Sequence, residues 1–293
     1  MDKKEWQCRN RNSISKKIKS LLDNRDGTIF DEIMASGQEM LIEKRENLLK
    51  LYFVDSVTDE FSGAMSEIDL KHPLRLTAPY QKGMMLSLLW GEPKRIYVLG
   101  FGGGRVGSIL HHYFPNAVVE STEIDPDVLN ISKRFFGVEL DENLRVALQD
   151  GRDYLKESKK KYDIIIIDGY SGTNQIPYHL RTKQFYNLCK KKLSKGGVVV
   201  VNLVDNNPQY MEGVNTMMAS FDNVYLMRYS DADLYFGSEK KLKGGLIKQM
   251  EEIQEDGGFD FSILPMVKCL KPISKQKKYL KKFRQSDDVF EDL

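Results

Sequence analysis

A glycine-rich segment between an apolar stretch and an amphipathic stretch carries the clearest chemical signal in this chain. Gly102, Gly104 and Gly107 have the G-x-G-x-x-G spacing of loops that bind a nucleoside cofactor. Such loops need glycine because the backbone turns sharply and approaches the ligand without a Cβ in between. Glu123 follows about 20 residues later, where a carboxylate can accept hydrogen bonds from ribose hydroxyls. These residues predict a nucleotide-type ligand and leave its identity open.

Two aspartates after later apolar stretches help to choose between the ligands that use such a loop. Asp150, followed by Gly151, ends the predicted third strand, where a carboxylate can accept a hydrogen bond from an adenine amino group. Asp168 ends the fourth strand, where the reacting end of the ligand would lie. A nicotinamide dinucleotide enzyme would also need a second large substrate region, for which the remaining chain is short. We therefore favour an S-adenosyl donor over a nicotinamide dinucleotide.

Alternating strands and helices must bring these residues to one edge of a sheet. Apolar strands are predicted at 96–99, 118–121, 144–148, 162–167 and 198–203. Helices are predicted between them, and an antiparallel pair at 224–229 and 234–236 ends the pattern. Strands that are apolar throughout suit a parallel sheet buried on both faces. The predicted fold class is α/β, with a doubly wound and mostly parallel sheet.

The flanking segments are assigned from composition. Residues 1–49 are polar and basic, with weak apolar faces, and are predicted to form a basic helical extension. Residues 50–79 contain short strand patterns at 51–54 and 64–68 and are predicted to form a small β-element. Residues 80–240 form the predicted Rossmann-like nucleoside-binding catalytic domain, opening on a helix over 80–90. Residues 241–293 are rich in lysine and end in acidic residues, which predicts a solvated, basic helical tail.

Bulk composition excludes several classes of protein. The formal net charge is only +2, which argues against nucleic acid as a partner. Three scattered cysteines argue against a disulfide framework and a thiolate metal site. No apolar run approaches the ~18 residues of a membrane span, so we expect no membrane partner and a cytoplasmic location. The adjacent His111 and His112 lack metal-ligand spacing and are predicted to lie on the surface, so we expect no metal.

Several motifs together resemble those of the spermidine synthase family, the polyamine aminopropyltransferases, over about residues 50–240. They are Tyr80-Gln81, Gly102-Gly103-Gly104, Glu123-Ile124-Asp125-Pro126, Asp150-Gly151-Arg152, Ile167-Asp168 and the segment 182–186. The segment 177–182 is similar to one in a divergent bacterial branch of that family. The resemblance implies a Rossmann-like class I S-adenosylmethionine-dependent transferase fold. It also implies decarboxylated S-adenosylmethionine as donor, a small-molecule amine as acceptor, and a possible homodimer.

The resemblance further implies roles for individual residues. The donor would be bound by Gln81, Gly102, Gly103, Gly104, Arg105, Glu123, Ile124, Asp150, Gly151 and Asp168. Asp168 would also be catalytic, because the acceptor amine must lose a proton and a carboxylate can accept it. Tyr170 is the second predicted catalytic residue. The acceptor would be bound by Tyr80, Ser171 and His179.

Three positions depart from the pattern of the family. Arg105 occupies the place of an aspartate that pairs with the donor's amine, and a guanidinium could instead pair with the carboxylate of intact S-adenosylmethionine. Ser171 and Lys82 replace two further acidic residues. These departures keep two alternatives open. One is an S-adenosylmethionine-dependent methyltransferase or 3-amino-3-carboxypropyltransferase, and the other is a non-catalytic nucleoside-binding protein.

Overall fold

Helices and strands alternate along most of the chain in the computed structural model, which describes residues 2–54, 63–170, 176–203, 209–229, 232–275, 277–281 and 288–292. The helices are α1 (Lys3–Leu22), α2 (Pro79–Met84), α3 (Arg105–Tyr113), α4 (Pro126–Phe135), α5 (Gly151–Glu157), α6 (Lys183–Lys192), α7 (Tyr210–Ser220), α8 (Leu246–Gly257), α9 (Leu264–Cys269) and α10 (Lys277–Leu280). The strands are β1 (Gly27–Ile33), β2 (Glu39–Arg45), β3 (Leu48–Val54), β4 (Ser66–Asp69), β5 (Arg95–Leu99), β6 (Val118–Glu123), β7 (Leu144–Leu148), β8 (Tyr162–Ile167), β9 (Leu193–Leu203), β10 (Asn223–Tyr229), β11 (Ala232–Ser238) and β12 (Leu270–Pro272).

An eight-stranded sheet lies at the centre, in the order β12-β10-β11-β9-β8-β5-β6-β7. The five strands from β9 to β7 are parallel, while β11, β10 and β12 are antiparallel. Residues 164–167 and 198–201 are at most 1% exposed, since helices cover both faces of the parallel part. The predicted doubly wound, mostly parallel α/β fold is confirmed. The strand order reverses between β5 and β8, where ligands bind in such folds.

The small β-element is larger than the sequence predicts. Strands β1 to β4 form an antiparallel sheet in that order, so the element begins at Gly27 and not at residue 50. The strand patterns predicted at 51–54 and 64–68 are confirmed as β3 and β4, whereas the helical assignment of residues 27–49 is wrong. The apolar spacing of residues 27–49 suits a helix. In the structure, Met40 lies on β2 and Leu49 on β3, and the hairpin between these two strands turns at Glu46, whose φ is 54°.

Helix α1 is the part of the predicted helical extension that forms, and it packs on α3 and α4. Ile14, Ile18 and Leu21 face the core. His111 and His112 lie under this helix and are 4% and 0% exposed, so their predicted surface position is wrong. Burial lowers the pKa of both imidazoles. The extension therefore covers a face of α3 that would otherwise be open.

The predicted helix at 80–90 divides into two parts. Helix α2 ends at Met84, and a 3₁₀ helix continues over Met85–Trp90. Residues 84–90 are at most 4% exposed, so they are buried all round and not on one face. The reason is that this segment packs between β9 and α8. The segment directly follows α2, in which Gln81 is buried.

Residues 241–293 do not form a simple solvated tail. Helices α8 and α9 pack against the body, and β12 pairs with β10 at the edge of the main sheet. Phe290 is 5% exposed. Apolar residues between the lysines explain the difference, since Met250, Ile263 and Met266 belong to the core. None of the described helices combines the length and the apolar character needed to cross a membrane.

We expect Ile18→Ala to lower the free energy of unfolding by about 3 kcal/mol, because it removes a fully buried side chain from the contact of α1 with the core. Urea unfolding measures the change. Lys16→Ala, on the exposed face of the same helix, is the control and should change the value by less than about 0.5 kcal/mol. Equal stability of the two variants would contradict the docking of α1.

Candidate functional site

A cavity of about 490 Å³ opens at the carboxyl ends of β5, β6 and β8. It is lined by eleven of the residues to which the sequence assigns a donor, acceptor or catalytic role, and by Gly107. The eleven are Tyr80, Gln81, Gly102, Arg105, Glu123, Ile124, Asp150, Gly151, Asp168, Tyr170 and His179. Gly103 and Gly104 are not part of its lining. Ser171 lies outside the described residues. The fold thus brings together side chains from segments that are far apart in sequence.

The glycine-rich loop forms one wall of this cavity. Gly102 lines it with φ 53°, and a Cβ placed there would meet no atom within 4 Å, so packing leaves space beside the backbone. Gly104 precedes α3 with φ 70°, where a Cβ would lie 2.6 Å from Val138. The Gly103 amide donates to Ser66 Oγ at 3.2 Å, which ties the loop to β4. Gly103 and Gly104 therefore shape the loop without lining the cavity.

Glu123 connects the glycine-rich loop to the end of β6. Its Oε2 accepts the amides of Phe101 and Gly102, each at 3.2 Å. Its Oε1 accepts the amides of Ile124 and Asp125 at 2.9 and 3.1 Å. These four amides hold the carboxylate in place on the cavity wall.

Asp150 and His179 lie together on another wall. Asp150 caps α5, its Oδ1 accepting the Arg152 amide at 2.8 Å, and its Oδ2 lies 3.0 Å from His179 Nε2. Burial opposes ionisation, but hydrogen bonds from His179 and the backbone outweigh it and lower the pKa of Asp150. Ile124 is 75% exposed beside this wall and offers an apolar surface. A flat polar ring could pack there and meet an ionised acceptor at its edge.

Asp168 stands at the end of β8, where the strand order reverses. Its amide donates to the Leu99 carbonyl at 2.9 Å, which holds the end of β8 against β5. Desolvation raises the pKa of Asp168 to about 7, and the hydrogen bond from Asn202 Nδ2 to Oδ1, at 3.1 Å, acts in the opposite direction. A carboxyl group with this pKa can accept a proton near neutral pH.

The tyrosine side chains near Asp168 are oriented by hydrogen bonds to nearby backbone carbonyls. The Tyr170 hydroxyl donates to the Asn202 carbonyl at 2.6 Å, and the Tyr80 hydroxyl donates to the Met65 carbonyl at 3.3 Å. Gln81 Nε2 donates to the Tyr80 hydroxyl at 3.2 Å. Gln81 Oε1 is buried without a hydrogen-bond partner among the described residues. This oxygen is an acceptor that a ligand donor could satisfy.

Arg105 is 2% exposed and is held mainly by the protein itself. Its Nη2 donates to the carbonyls of Pro73 and Arg75 at 2.5 and 3.2 Å. Burial lowers its pKa to about 10, so it stays charged at neutral pH. Its Nε is buried without a partner among the residues that the structure describes, and the residue lines the cavity. The guanidinium thus anchors the 73–75 segment, and its Nε is left as a donor for a ligand.

Sequence reasoning missed the contributions of Asn202 and the β-element. Asn202 is the first polar residue after the apolar run 198–201, and this position at a strand end was a usable signal. Met65 and Ser66 line the cavity from the β-element, as does Phe53 from β3. No local motif marks them, because they reach the cavity only through the packing of the two sheets.

Comparison with known proteins agrees with this geometry. Residues 81–225 match the model of the spermine/spermidine synthase domain. The chain is 33% identical over 159 residues to the polyamine aminopropyltransferase of Chromobacterium violaceum, and 35% identical over 155 residues to that of Vibrio vulnificus. These regions cover 54% and 52% of this chain, and 60% and 52% of the relatives. Residues 81–225 therefore match a spermine/spermidine synthase domain, and the resemblance seen in the sequence is confirmed.

Methyltransferases are also related to this chain. The human eEF1A lysine and N-terminal methyltransferase is 30% identical over 129 residues, which are 40% of this chain and 18% of that protein. Among solved structures, a probable spermidine synthase from Corynebacterium glutamicum has a TM-score of 0.68 at 18% identity, covering 92% of this chain and 97% of its own. Human methyltransferase-like protein 13 in complex with SAH has a TM-score of 0.56 at 23% identity, covering 64% and 95%. These structures confirm the class I S-adenosylmethionine-dependent transferase fold.

We expect Asp168→Asn to raise the melting temperature more at pH 8 than at pH 5. The folded pKa lies above the unfolded value of about 3.9, so ionisation of Asp168 opposes folding. This cost is absent below about pH 4, grows as the pH rises to about 7, and stays constant above that. Thermal unfolding of both proteins across this pH range measures the difference.

Asp222→Asn is the matched control, since it removes an exposed carboxylate outside the cavity. Its difference from the parent protein should stay nearly constant with pH. A pH-independent difference for Asp168→Asn would show that the Asp168 carboxyl group titrates normally.

Proposed function

We propose that this protein transfers an aminopropyl group from decarboxylated S-adenosylmethionine to the nitrogen of an amine acceptor. The observation that carries the proposal is the position of Asp168. It lies in the cavity of a spermine/spermidine synthase domain, at the reversal of strand order, with a pKa raised to about 7. The donor supplies a sulfonium, whose sulfur is already a good leaving group. The protein's part is therefore to align the reactants and to deprotonate the amine.

The cavity residues fit an adenosyl donor of this kind. Glu123 can accept the ribose hydroxyls, since it lines the cavity beside the glycine-rich loop. Asp150 can accept the adenine amino group, and the exposed Ile124 can pack on the ring. The unpartnered Gln81 Oε1 can accept from the amine of the donor tail. Each of these donor roles is part of the proposal.

Asp168 holds the acceptor amine and takes its proton. The amine nitrogen forms a bond to the carbon beside the sulfonium as the carbon–sulfur bond breaks, and sulfur keeps the electron pair. A neutral thioether nucleoside leaves, and the extra proton on nitrogen passes to the Asp168 carboxylate. Asn202 keeps this carboxylate facing the cavity through its amide. Tyr170 and Tyr80 would then line the path of the acceptor, whereas His179 lies beside Asp150 on the wall proposed for the adenine.

The test is thioether formation by the purified protein. With decarboxylated S-adenosylmethionine and putrescine, cadaverine or spermidine, we expect 5′-methylthioadenosine, measured by chromatography. Asp168→Asn should slow the reaction by at least about 100-fold, the usual effect of losing a general base. The parent's kcat/KM should fall about tenfold per pH unit below pH 7, as Asp168 becomes protonated. Asp222→Asn should keep the parent rate. Absence of thioether with every amine would overturn the proposal.

A second candidate is transfer from intact S-adenosylmethionine, as a methyltransferase or 3-amino-3-carboxypropyltransferase. The unpartnered Nε of Arg105 favours it, because this donor could meet a ligand carboxylate in the cavity. The buried charge of Arg105 also repels the amine of the decarboxylated donor. The relationship to a methyltransferase agrees with this candidate.

Calorimetric titration with the two donors separates the candidates. Aminopropyl transfer predicts tighter binding of the decarboxylated donor, and Arg105→Gln should then strengthen that binding by removing a like charge. If the intact donor binds more tightly and Arg105→Gln weakens it about tenfold, the second candidate replaces the first. Binding of neither donor would reject both.

A further inference from the structure

The segment 288–292, on which the mechanism does not draw, docks beside the nucleoside cavity. Phe290 is buried, its amide donating to Thr216 Oγ1 at 2.9 Å and its carbonyl accepting the Lys183 amide at 2.7 Å. The Asp292 amide donates to Gln184 Oε1 at 3.0 Å. These bonds join the segment 288–292 to the first turn of α6 and to α7.

Asp292 forms a two-pronged ion pair with Arg152. Both Asp292 oxygens accept from the guanidinium, Oδ1 from Nη1 at 2.8 Å and Oδ2 from Nη2. Thr182 Oγ1 also donates to Oδ1, at 2.7 Å. The two side chains are 22% and 37% exposed, so water only partly screens the pair. The two oxygens of Asp292 thus hold both terminal nitrogens of the Arg152 guanidinium.

Arg152 in turn supports the cavity wall through its hydrogen bond to the backbone of His179. Its Nη1 also donates to the His179 carbonyl at 2.8 Å, and His179 Nε2 lies 3.0 Å from Asp150 Oδ2. Tyr178 is tied to the same segment, because its hydroxyl donates to the Glu291 carbonyl at 2.9 Å. His179 and Asp150 both line the cavity. A continuous chain of contacts therefore runs from Asp292 to the wall on which the adenine ring would lie.

We propose that Asp292 is a positioning residue for nucleoside binding, which it supports by holding Arg152 against the His179 loop. The inference rests on the proposed function, because it takes this cavity as the nucleoside site. Without Asp292, the guanidinium is left next to the Asp150 and Asp153 carboxylates, which already attract it. It would then compete with His179 for Asp150 and loosen the wall. The direct ligand contacts belong to Asp150 and Ile124, and Asp292 acts only through Arg152.

Calorimetric titration with 5′-methylthioadenosine tests this role without requiring turnover. We expect Asp292→Ala to weaken binding about tenfold, the usual consequence of losing hydrogen bonds to a charged group. Asp292→Glu should restore most of the affinity. Glu291→Gln, which changes an exposed side chain one residue away, should bind like the parent protein. If Asp292→Ala also binds like the parent, the proposed role is overturned.

A double-mutant cycle separates positioning from general destabilisation. If Asp292 acts through Arg152, the variant with both changes to alanine should bind no more weakly than Arg152→Ala alone. Effects that add, with a large fall in melting temperature for Asp292→Ala, would show that the segment only stabilises the fold. If the parent itself fails to bind 5′-methylthioadenosine, the nucleoside site and this inference both fall. Binding by the parent without aminopropyl transfer would reject the proposed reaction alone.

Discussion

The four backbone amides that converge on the Glu123 carboxylate are the interaction on which the site depends. Two come from the loop after β5 and two from the end of β6, so a single side chain fixes both loops. Parallel pairing of β5 with β8 then places Asp168 beside them, its amide bonded to the Leu99 carbonyl. The cavity lies at these strand ends, where Gly102, Glu123 and Asp168 all line it.

The two ends of the cavity differ in how well their polar groups are satisfied. At the Glu123 and Asp150 end, the carboxylates accept several backbone amides, and hydrogen bonds from His179 and the backbone lower the pKa of Asp150. At the other end, Asp168 has a raised pKa and Gln81 Oε1 lacks a partner among the described residues. Unsatisfied buried groups reduce stability unless a ligand completes their hydrogen bonds. This contrast is what one expects of a binding end and a reacting end.

Elements outside the nucleoside-binding fold complete the walls. Ser66 of the β-element accepts a hydrogen bond from the Gly103 amide, and Arg105 donates to backbone carbonyls of the 73–75 segment. Hydrogen bonds from both elements therefore hold this wall of the cavity. On the opposite side, Phe290 and Asp292 support the His179 loop through α6 and Arg152. A rigid frame around a polar cavity limits how far its side chains can rearrange, which favours one ligand geometry over many.

Local patterns in the sequence were enough to predict the parallel sheet, the glycine-rich loop and the acidic residues at the strand ends, because apolar runs and strand-end polarity do not depend on distant contacts. The sequence also identified the family through the spacing of those motifs. Tertiary structure alone decided that residues 27–45 pair as strands, that His111 lies beneath α1, and that Arg105 bonds to carbonyls 30 or more positions away. It likewise decided that Asp292 meets Arg152. These features depend on contacts between distant segments, and no local periodicity encodes which distant partner a side chain will meet.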